Sequence, residues 1–365
     1  MFEKLTDTLD GYLKIGLPFY DCIVMHDGKC VYRHAGGYTK KGTPVSGKEL
    51  YNIYSCSKLI TCTAALQLWE KGAFRLEDEL YRYMPEFEHM QVREGSGTRE
   101  ASKKITIEQL FTMTGGFSYD LYSPMLKKCR EETGGECRTR DTMKYLAKEP
   151  LLFEPGYRWE YSLCHDVLAA LVEVVSKKSF GEYVKENIFD VCGMENSTFL
   201  PEDISKIVNQ YRYDEKAKKV AECEKVCEYR IGTKYESGGA GCVSTVDDYI
   251  RFLEGIRTYK LLKKETVDML AKNRLTKEQI YMPTYWVAEK RGFGLGQQCP
   301  WEESTRPDFG WGGAAGAHYF IDRKNGISAY LGTHILGFAP YQENRIKITK
   351  IIQEERLSEK NCGGF

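Results

Sequence analysis

Residues Tyr51–Phe87 read YNIYSCSKLITCTAALQLWEKGAFRLEDELYRYMPEF. From Ser57 to Lys71 apolar residues recur at helical spacing, and Gly72 suits the end of such a helix. An amphipathic helix is expected there, with Tyr54-Ser55-Cys56-Ser57-Lys58 at its start. Ser55 and Lys58 form the only Ser-x-x-Lys of the chain. On a helix, residues three apart share a face, so the lysine amine can reach the serine hydroxyl. A serine attacks a carbonyl only once a base takes its proton, and a desolvated lysine can be that base. The positive end of the helix would lie where an oxyanion forms. By itself the tetrapeptide fits a helix start with a solvated lysine, and its surroundings have to decide.

Working outward, Asp21 to Gly36 reads as two strands around Asp27-Gly28, a pair that favours a tight hairpin. His318 to Asp322 and Ile327 to Thr333 form a second hairpin around Asn325-Gly326. A helix from about Gln342 to Leu357 shows Ile346, Ile348, Ile351 and Ile352 on one side. Between these ends the pattern is helical, notably in Ile107 to Met113 and Cys164 to Val175. Val92 to Lys104 and Asp214 to Lys225 look like surface excursions. The chain is therefore expected to be α/β (α+β). Residues 1–75 and 215–365 would form a mixed domain from both termini, 76–214 a mainly helical lobe, and the active site would lie in the cleft between them.

Fifty-two Lys plus Arg balance 52 Asp plus Glu. This chain lacks the excess positive field that nucleic-acid binders and proteins of acidic membrane surfaces use. No run approaches the roughly 20 apolar residues of a membrane span. The 13 cysteines are odd in number and scattered, so most are expected to be reduced. MFEKLTDTLDGYLKIGLPF lacks the basic and apolar regions of an export signal, which points to the cytoplasm. No Gly-x-Ser-x-Gly, Walker A, His-Glu-x-x-His or Cys-x-x-Cys occurs. Gly310-Trp-Gly312-Gly-Ala-Ala315 imitates a dinucleotide fingerprint, but a strand pattern follows it where a helix should begin.

The Tyr51–Phe87 stretch resembles the nucleophile region of the serine β-lactamase and penicillin-binding-protein superfamily, particularly its class C and family VIII esterase-like branch. The likeness continues in order through ITIEQLFTMTGGFSYD, FEPGYRWEYSLCHDVLAALVEVVSKKSFGEYVKENIFDVCGMENSTF, SGGAGCVSTVDDYIRF and FGWGGAAGAHYFID. It implies a β-lactamase/transpeptidase-like fold, an antiparallel sheet flanked by helices plus an all-helical lobe, and no cofactor or metal. It also implies that Ser55 is acylated, that Lys58 accepts its proton and that Tyr161 relays protons. Trp311-Gly312-Gly313 would stand for the third motif, with the Ala314 N–H joining the Ser55 N–H as the oxyanion donors. Cys56 is a second candidate nucleophile, but Lys58 and the resemblance favour Ser55.

Two departures bear on the substrate. Trp311 replaces the motif's usual cation, and Leu163 stands where an Asn often contacts a substrate amide; both favour a small neutral ester over a lactam or peptide. The reading is thus a serine hydrolase, most simply a carboxylesterase or acyl transferase on a small-molecule ester or amide. A β-lactamase, a D-amino-acid peptidase or an amidase could use the same residues, and a penicillin-sensor-like scaffold could keep the fold without turnover. Tyr119 beside Gly115-Gly116 suits the cleft rim. His318 is counted with Tyr119 among the substrate-binding residues, although strand register decides whether it faces the cleft or its rear. His165 reads as structural, and Ser244-Thr245-Val246-Asp247 as a helix cap.

Overall fold

The computed structural model describes residues 2–280, 290–301, 307–342 and 345–362. Its frame is an eight-stranded antiparallel sheet drawn from both ends of the sequence. β1 (Phe19–His26), β2 (Lys29–Lys40) and β3 (Thr43–Pro44) come from the beginning. β4 (Arg291–Phe293), β5 (Gln298–Pro300), β6 (Phe309–Gly312), β7 (His318–Asp322) and β8 (Ile327–Gly332) come from the end. The order is β4-β5-β6-β7-β8-β1-β2-β3. The two sets meet at β8 and β1, where Ile23 lies opposite Tyr330.

Local chemistry explains the hairpins. Asp27 and Gly28 take φ of 46° and 78°, the two-residue turn that Asp-Gly tolerates. The β7–β8 turn is longer, with the Asp322 carboxylate accepting the Asn325 N–H at 3.0 Å and its Nδ2 at 2.8 Å.

The helices that frame the site are α1 (Glu3–Lys14), α2 (Ser57–Glu70), α3 (Cys164–Ser176), α4 (Val246–Arg257) and α5 (Arg345–Cys362). Residues 343–344, at the start of the expected closing helix, lie outside the described residues. Alternation along β1 sends Tyr20, Cys22 and Val24 toward Leu5 and Leu9 of α1 and Ile348, Ile351 and Ile352 of α5. Phe19 and Ile23 point to the other face, into a core shared with Leu59, Leu110, Leu168 and Tyr249. The sheet and the helical region of residues 76–214 are therefore packed through one continuous apolar interior. α2 corrects the expectation of an amphipathic helix: Ser57 through Leu66 are all buried, because α3 and the 180–184 helix pack against it. The two expected surface excursions are hairpins, Gln91–Glu94 with Gly97–Glu100 and Gln210–Asp214 with Lys219–Cys223. Thr245 caps α4, its hydroxyl accepting the Asp248 N–H at 3.0 Å. Among the described residues no helix is long and apolar enough to cross a membrane.

Two polar clamps hold the frame. Arg33 of β2 donates to Asp21 of β1 and to Asp247 of α4, both at 2.6 Å, and to the Gly47 carbonyl at 3.0 Å. Asp21 is fully buried; burial pushes its carboxyl up to about 6, against the pull of Arg33. His334, just past β8, accepts the Asn52 N–H at Nε2 (3.3 Å), and its Nδ1 lies 3.2 Å from the Val208 carbonyl. That pairing needs a neutral imidazole with the proton on Nδ1. Burial holds its titration down to about 4.

Two consequences can be measured by urea unfolding. Arg33→Ala strands a buried carboxylate and should cost about 3 kcal/mol at neutral pH, and less at pH 5, where Asp21 takes up a proton; an unchanged midpoint would refute the clamp. His334 acts in the opposite sense, since the unfolded chain protonates this residue below about 6.5 while the folded chain does not. Stability should therefore fall as pH drops from 6.5 toward 4, with a contribution of up to about 1.4 kcal/mol per pH unit from this histidine. His334→Gln should flatten that slope, and an unaltered slope would exclude His334 as its source.

Candidate active site

Ser55 lies in a tight 3-10 turn, Tyr54–Cys56, immediately before α2. The turn is entered through Tyr54 at φ 49°, a left-handed conformation that an aromatic residue seldom adopts and that costs about 1–3 kcal/mol. Surrounding contacts hold it: Tyr54 is fully buried, its hydroxyl donates to Gln210 Oε1 at 2.7 Å, and its ring meets Tyr229 edge-on at 5.6 Å. The kink leaves Ser55 8% exposed, recessed below the protein surface.

Lys58 is fully buried rather than solvated. Its Nζ donates to Ser55 Oγ at 3.3 Å and to the Gly239 carbonyl at 2.6 Å. From the opposite side the Tyr161 hydroxyl donates to Ser55 Oγ at 2.5 Å, and Lys58 Nζ sits 4.5 Å from the centre of the Tyr161 ring. Three residues expected to act together thus meet at one oxygen. Tyr161 is itself held between rings, stacked on Tyr119 at 5.3 Å and on Trp311 at 5.7 Å. Tyr229 closes on Tyr119 edge-on at 5.7 Å, and Phe293 on Trp311 at 5.5 Å. The half-buried Tyr119, Tyr161, Tyr229 and Trp311 make this side of the site aromatic.

Trp311 and Gly312 end β6, and the chain turns through Gly313, Ala314 and Ala315. Gly313 packs on the carbonyl of Ile53, two residues before Ser55; a Cβ there would come within 2.5 Å of that oxygen. Among the described residues neither the Ser55 N–H nor the Ala314 N–H donates to a backbone carbonyl outside the regular elements. The Ala315 carbonyl accepts from Thr333 Oγ1 at 2.6 Å and from the Ile335 N–H at 3.0 Å.

His318 is not brought to the site. It lies across from Gly312 in the β6–β7 pair, with Nδ1 3.1 Å from the Trp311 carbonyl and Nε2 2.9 Å from Thr349 Oγ1 of α5. Strand alternation turns it to the rear, which corrects its assignment as a substrate-binding residue. Cys56 is fully buried and its thiol is pushed up to about 12 by burial, so it is a poor rival nucleophile. His165 is buried against the Phe111 carbonyl (3.2 Å), and burial pushes it down to about 3, which keeps it neutral. Leu163 is buried at the start of α3 and offers no amide.

Three contributors carried no sequence signal of their own. The Gly239 carbonyl anchors Lys58, Tyr229 extends the ring cluster, and Asp166 places a carboxyl behind them. Asp166 is fully buried, accepting from Ser237 Oγ at 2.7 Å and from the Tyr235 hydroxyl at 3.1 Å. Burial raises it, while Ser237, Lys58 and Tyr235 pull it back. The run Ser237-Gly-Gly-Ala-Gly241 is recognisable as close-packed backbone, but only the folded chain shows that it lies between Asp166 and Lys58.

The chain is 28% identical over 346 residues to esterase EstB of Burkholderia gladioli, covering 86% of this chain and 84% of that one. It is 27% identical over 344 residues to the lovastatin esterase of Penicillium rubens, covering 84% and 86%. Among solved structures, EstCE1, described as a hydrolase with promiscuous acyltransferase activity, superposes with a TM-score of 0.80 at 21% identity, over 96% of this chain and 97% of that one. The Beta-lactamase family model matches residues 20–351. With the β-lactamase/transpeptidase-like sheet and helices already described, that near-complete match means that the chain belongs to the Beta-lactamase family of serine enzymes.

Proposed function

We propose that the protein is a carboxylesterase that works through an acyl-enzyme on Ser55, with transfer of the acyl group to an alcohol or amine as the other outcome of the same intermediate. The single observation that carries this reading is the convergence of Tyr161 Oη (2.5 Å) and Lys58 Nζ (3.3 Å) on Ser55 Oγ. Both proton-handling groups are within reach of the Ser55 hydroxyl.

In the first step Ser55 Oγ attacks the ester carbonyl while its proton passes to the Tyr161–Lys58 pair. The carbonyl oxygen, now anionic, takes hydrogen bonds from the Ser55 and Ala314 N–H groups. Collapse expels the alcohol, which leaves with the proton returned through Tyr161. Water, or a second alcohol or amine, then gives up its proton to the same pair and attacks the acyl carbon, and the pair returns that proton to Ser55 Oγ as the acyl–oxygen bond breaks. Burial of Lys58 and the rings around Tyr161 keep the proton relay short and dry.

The aromatic side of the site, with Trp311 at the third motif and Leu163 in place of an amide, supports a small neutral acyl group. The transferase outcome is supported by relatives named as acyltransferases, among them calJ of Penicillium decumbens, 26% identical over 348 residues. A cytoplasmic setting is part of the proposal, supported by the free thiols of the described cysteines.

With 4-nitrophenyl acetate, wild-type protein should give a burst of nitrophenol stoichiometric with enzyme and an acetyl mass increment on Ser55. Ser55→Ala should give neither, and Lys58→Ala and Tyr161→Phe should lose about 10²–10⁴-fold in kcat. A chromogenic cephalosporin run alongside should turn over more slowly than the ester. An active Ser55→Ala would sink the mechanism, and a preference for the cephalosporin would overturn the substrate class.

A further inference from the structure

Behind the Trp311-Gly312-Gly313 segment, on the face opposite Ser55, lies a cation that the sequence did not connect to the site. Arg345, the first residue of α5, donates from Nη2 to the Gly313 carbonyl at 2.7 Å. Its guanidinium rests directly on Gly312: a Cβ there would come within 2.3 Å of Nη1 and 2.6 Å of the guanidinium carbon. The two glycines of the motif therefore have separate reasons. Gly312 admits the guanidinium from the rear, and Gly313 admits the Ile53 carbonyl on the nucleophile's side.

The geometry fixes an orientation. No described peptide bond is cis, and in a trans peptide the C=O and N–H point in opposite directions. The Gly313 carbonyl takes both Arg345 Nη2 and, at 3.1 Å, the Gly316 N–H, and the N–H of the same peptide, that of Ala314, points away from the guanidinium. The next anchored carbonyl, that of Ala315, is held by Thr333 and Ile335, so the turn is pinned on both sides of this one donor. A charged donor on the carbonyl also polarises the peptide and strengthens its N–H. The charge is felt beyond the turn: Arg345 opposes the burial that raises the Cys56 thiol more than Lys58 does.

We propose that Arg345 is a positioning residue for acyl transfer, holding the Gly313–Ala314 peptide so that the Ala314 N–H receives the oxyanion formed at Ser55. The proposal rests on the reading of Ser55 as the acylated nucleophile and of Ala314 as the second oxyanion donor. An oxyanion donor acts in the transition state, so its misalignment lowers kcat and leaves substrate binding largely alone.

The test compares wild type, Arg345→Ala, Arg345→Lys and Gly312→Ala on 4-nitrophenyl acetate, with thermal melts for each. Arg345→Ala should lose about 10²-fold in kcat with KM nearly unchanged, and added methylguanidinium should restore a substantial part of that loss. Arg345→Lys should fall between the two. Gly312→Ala, which displaces the guanidinium while keeping the arginine and also presses on the Ala317 carbonyl (2.8 Å from the added Cβ), should lose at least as much kcat, and Arg345→Lys keeps the proposal testable if Arg345→Ala fails to fold. Wild-type kcat in Arg345→Ala or in Gly312→Ala would overturn it, as would a loss that tracks the melting temperature and resists methylguanidinium. A wild-type enzyme with no burst and no acylated Ser55 would instead remove the underlying reading, and the two failures are told apart by the wild-type trace alone.

Discussion

The structure is organised around the burial of Lys58. A lysine removed from water loses several kcal/mol of hydration unless protein groups replace it. Here the replacements come from distant parts of the chain: Ser55 Oγ from the same turn, the Gly239 carbonyl from the glycine-rich loop, and the face of Tyr161 from the segment entering α3. Seating this one side chain therefore fixes α2, residues 237–241 and the start of α3 relative to one another. The close fit of Gly239 shows how little room remains, since a Cβ at that position would lie 2.5 Å from Asp166 Oδ2 and 3.4 Å from Lys58 Nζ. The constraint is local in chemistry and global in consequence.

The rings serve the same end by a different force. Tyr161 must hold its hydroxyl against Ser55, and a tyrosine in an open cleft would rotate freely. Stacking against both Tyr119 and Trp311 restrains it, and each aromatic pair adds about 0.5–1.5 kcal/mol beyond simple burial. Trp311 thus does more than omit a cation from the third motif. It ties β6, and with it the sheet, to the tyrosine whose hydroxyl meets Ser55 Oγ.

Much of this was legible in the sequence, and what was missed has a common cause. Ser55 and Lys58 share a helical turn, so their spacing alone announced their contact; the hairpin at Asp27-Gly28 and the cap at Thr245 are likewise written in neighbouring residues. α2 was misread as amphipathic because periodicity reports one apolar face and cannot reveal that packing closes over the others. His318 was undecidable for a related reason, since one step of strand register exchanges cleft for rear. Tyr54 is a β-propensity aromatic held in a left-handed conformation by Gln210, 156 residues away, and nothing nearby hints at it. Asp166 and Arg345 belong to the same class: their partners are set by topology, which residue patterns do not encode.

That topology explains why the nucleophile needs both ends of the chain. Ser55 is supplied early and Ala314 late, and their two turns lie side by side only because β8 pairs with β1 and brings the late strands beside the early turn. The segment leaving β8 then secures both halves with three successive residues. Thr333 and Ile335 bind the Ala315 carbonyl while His334, pointing the other way along the extended chain, accepts the Asn52 N–H three residues before Ser55. Alternating sides of one short stretch thus brace the nucleophile's turn and the opposing turn against each other. Separation of those turns by a fraction of an ångström would require breaking buried hydrogen bonds on both sides of that stretch, each worth about 1 kcal/mol or more. The precision that acyl transfer demands is carried by the backbone that closes the sheet, and the side chains at Ser55, Lys58 and Tyr161 inherit it.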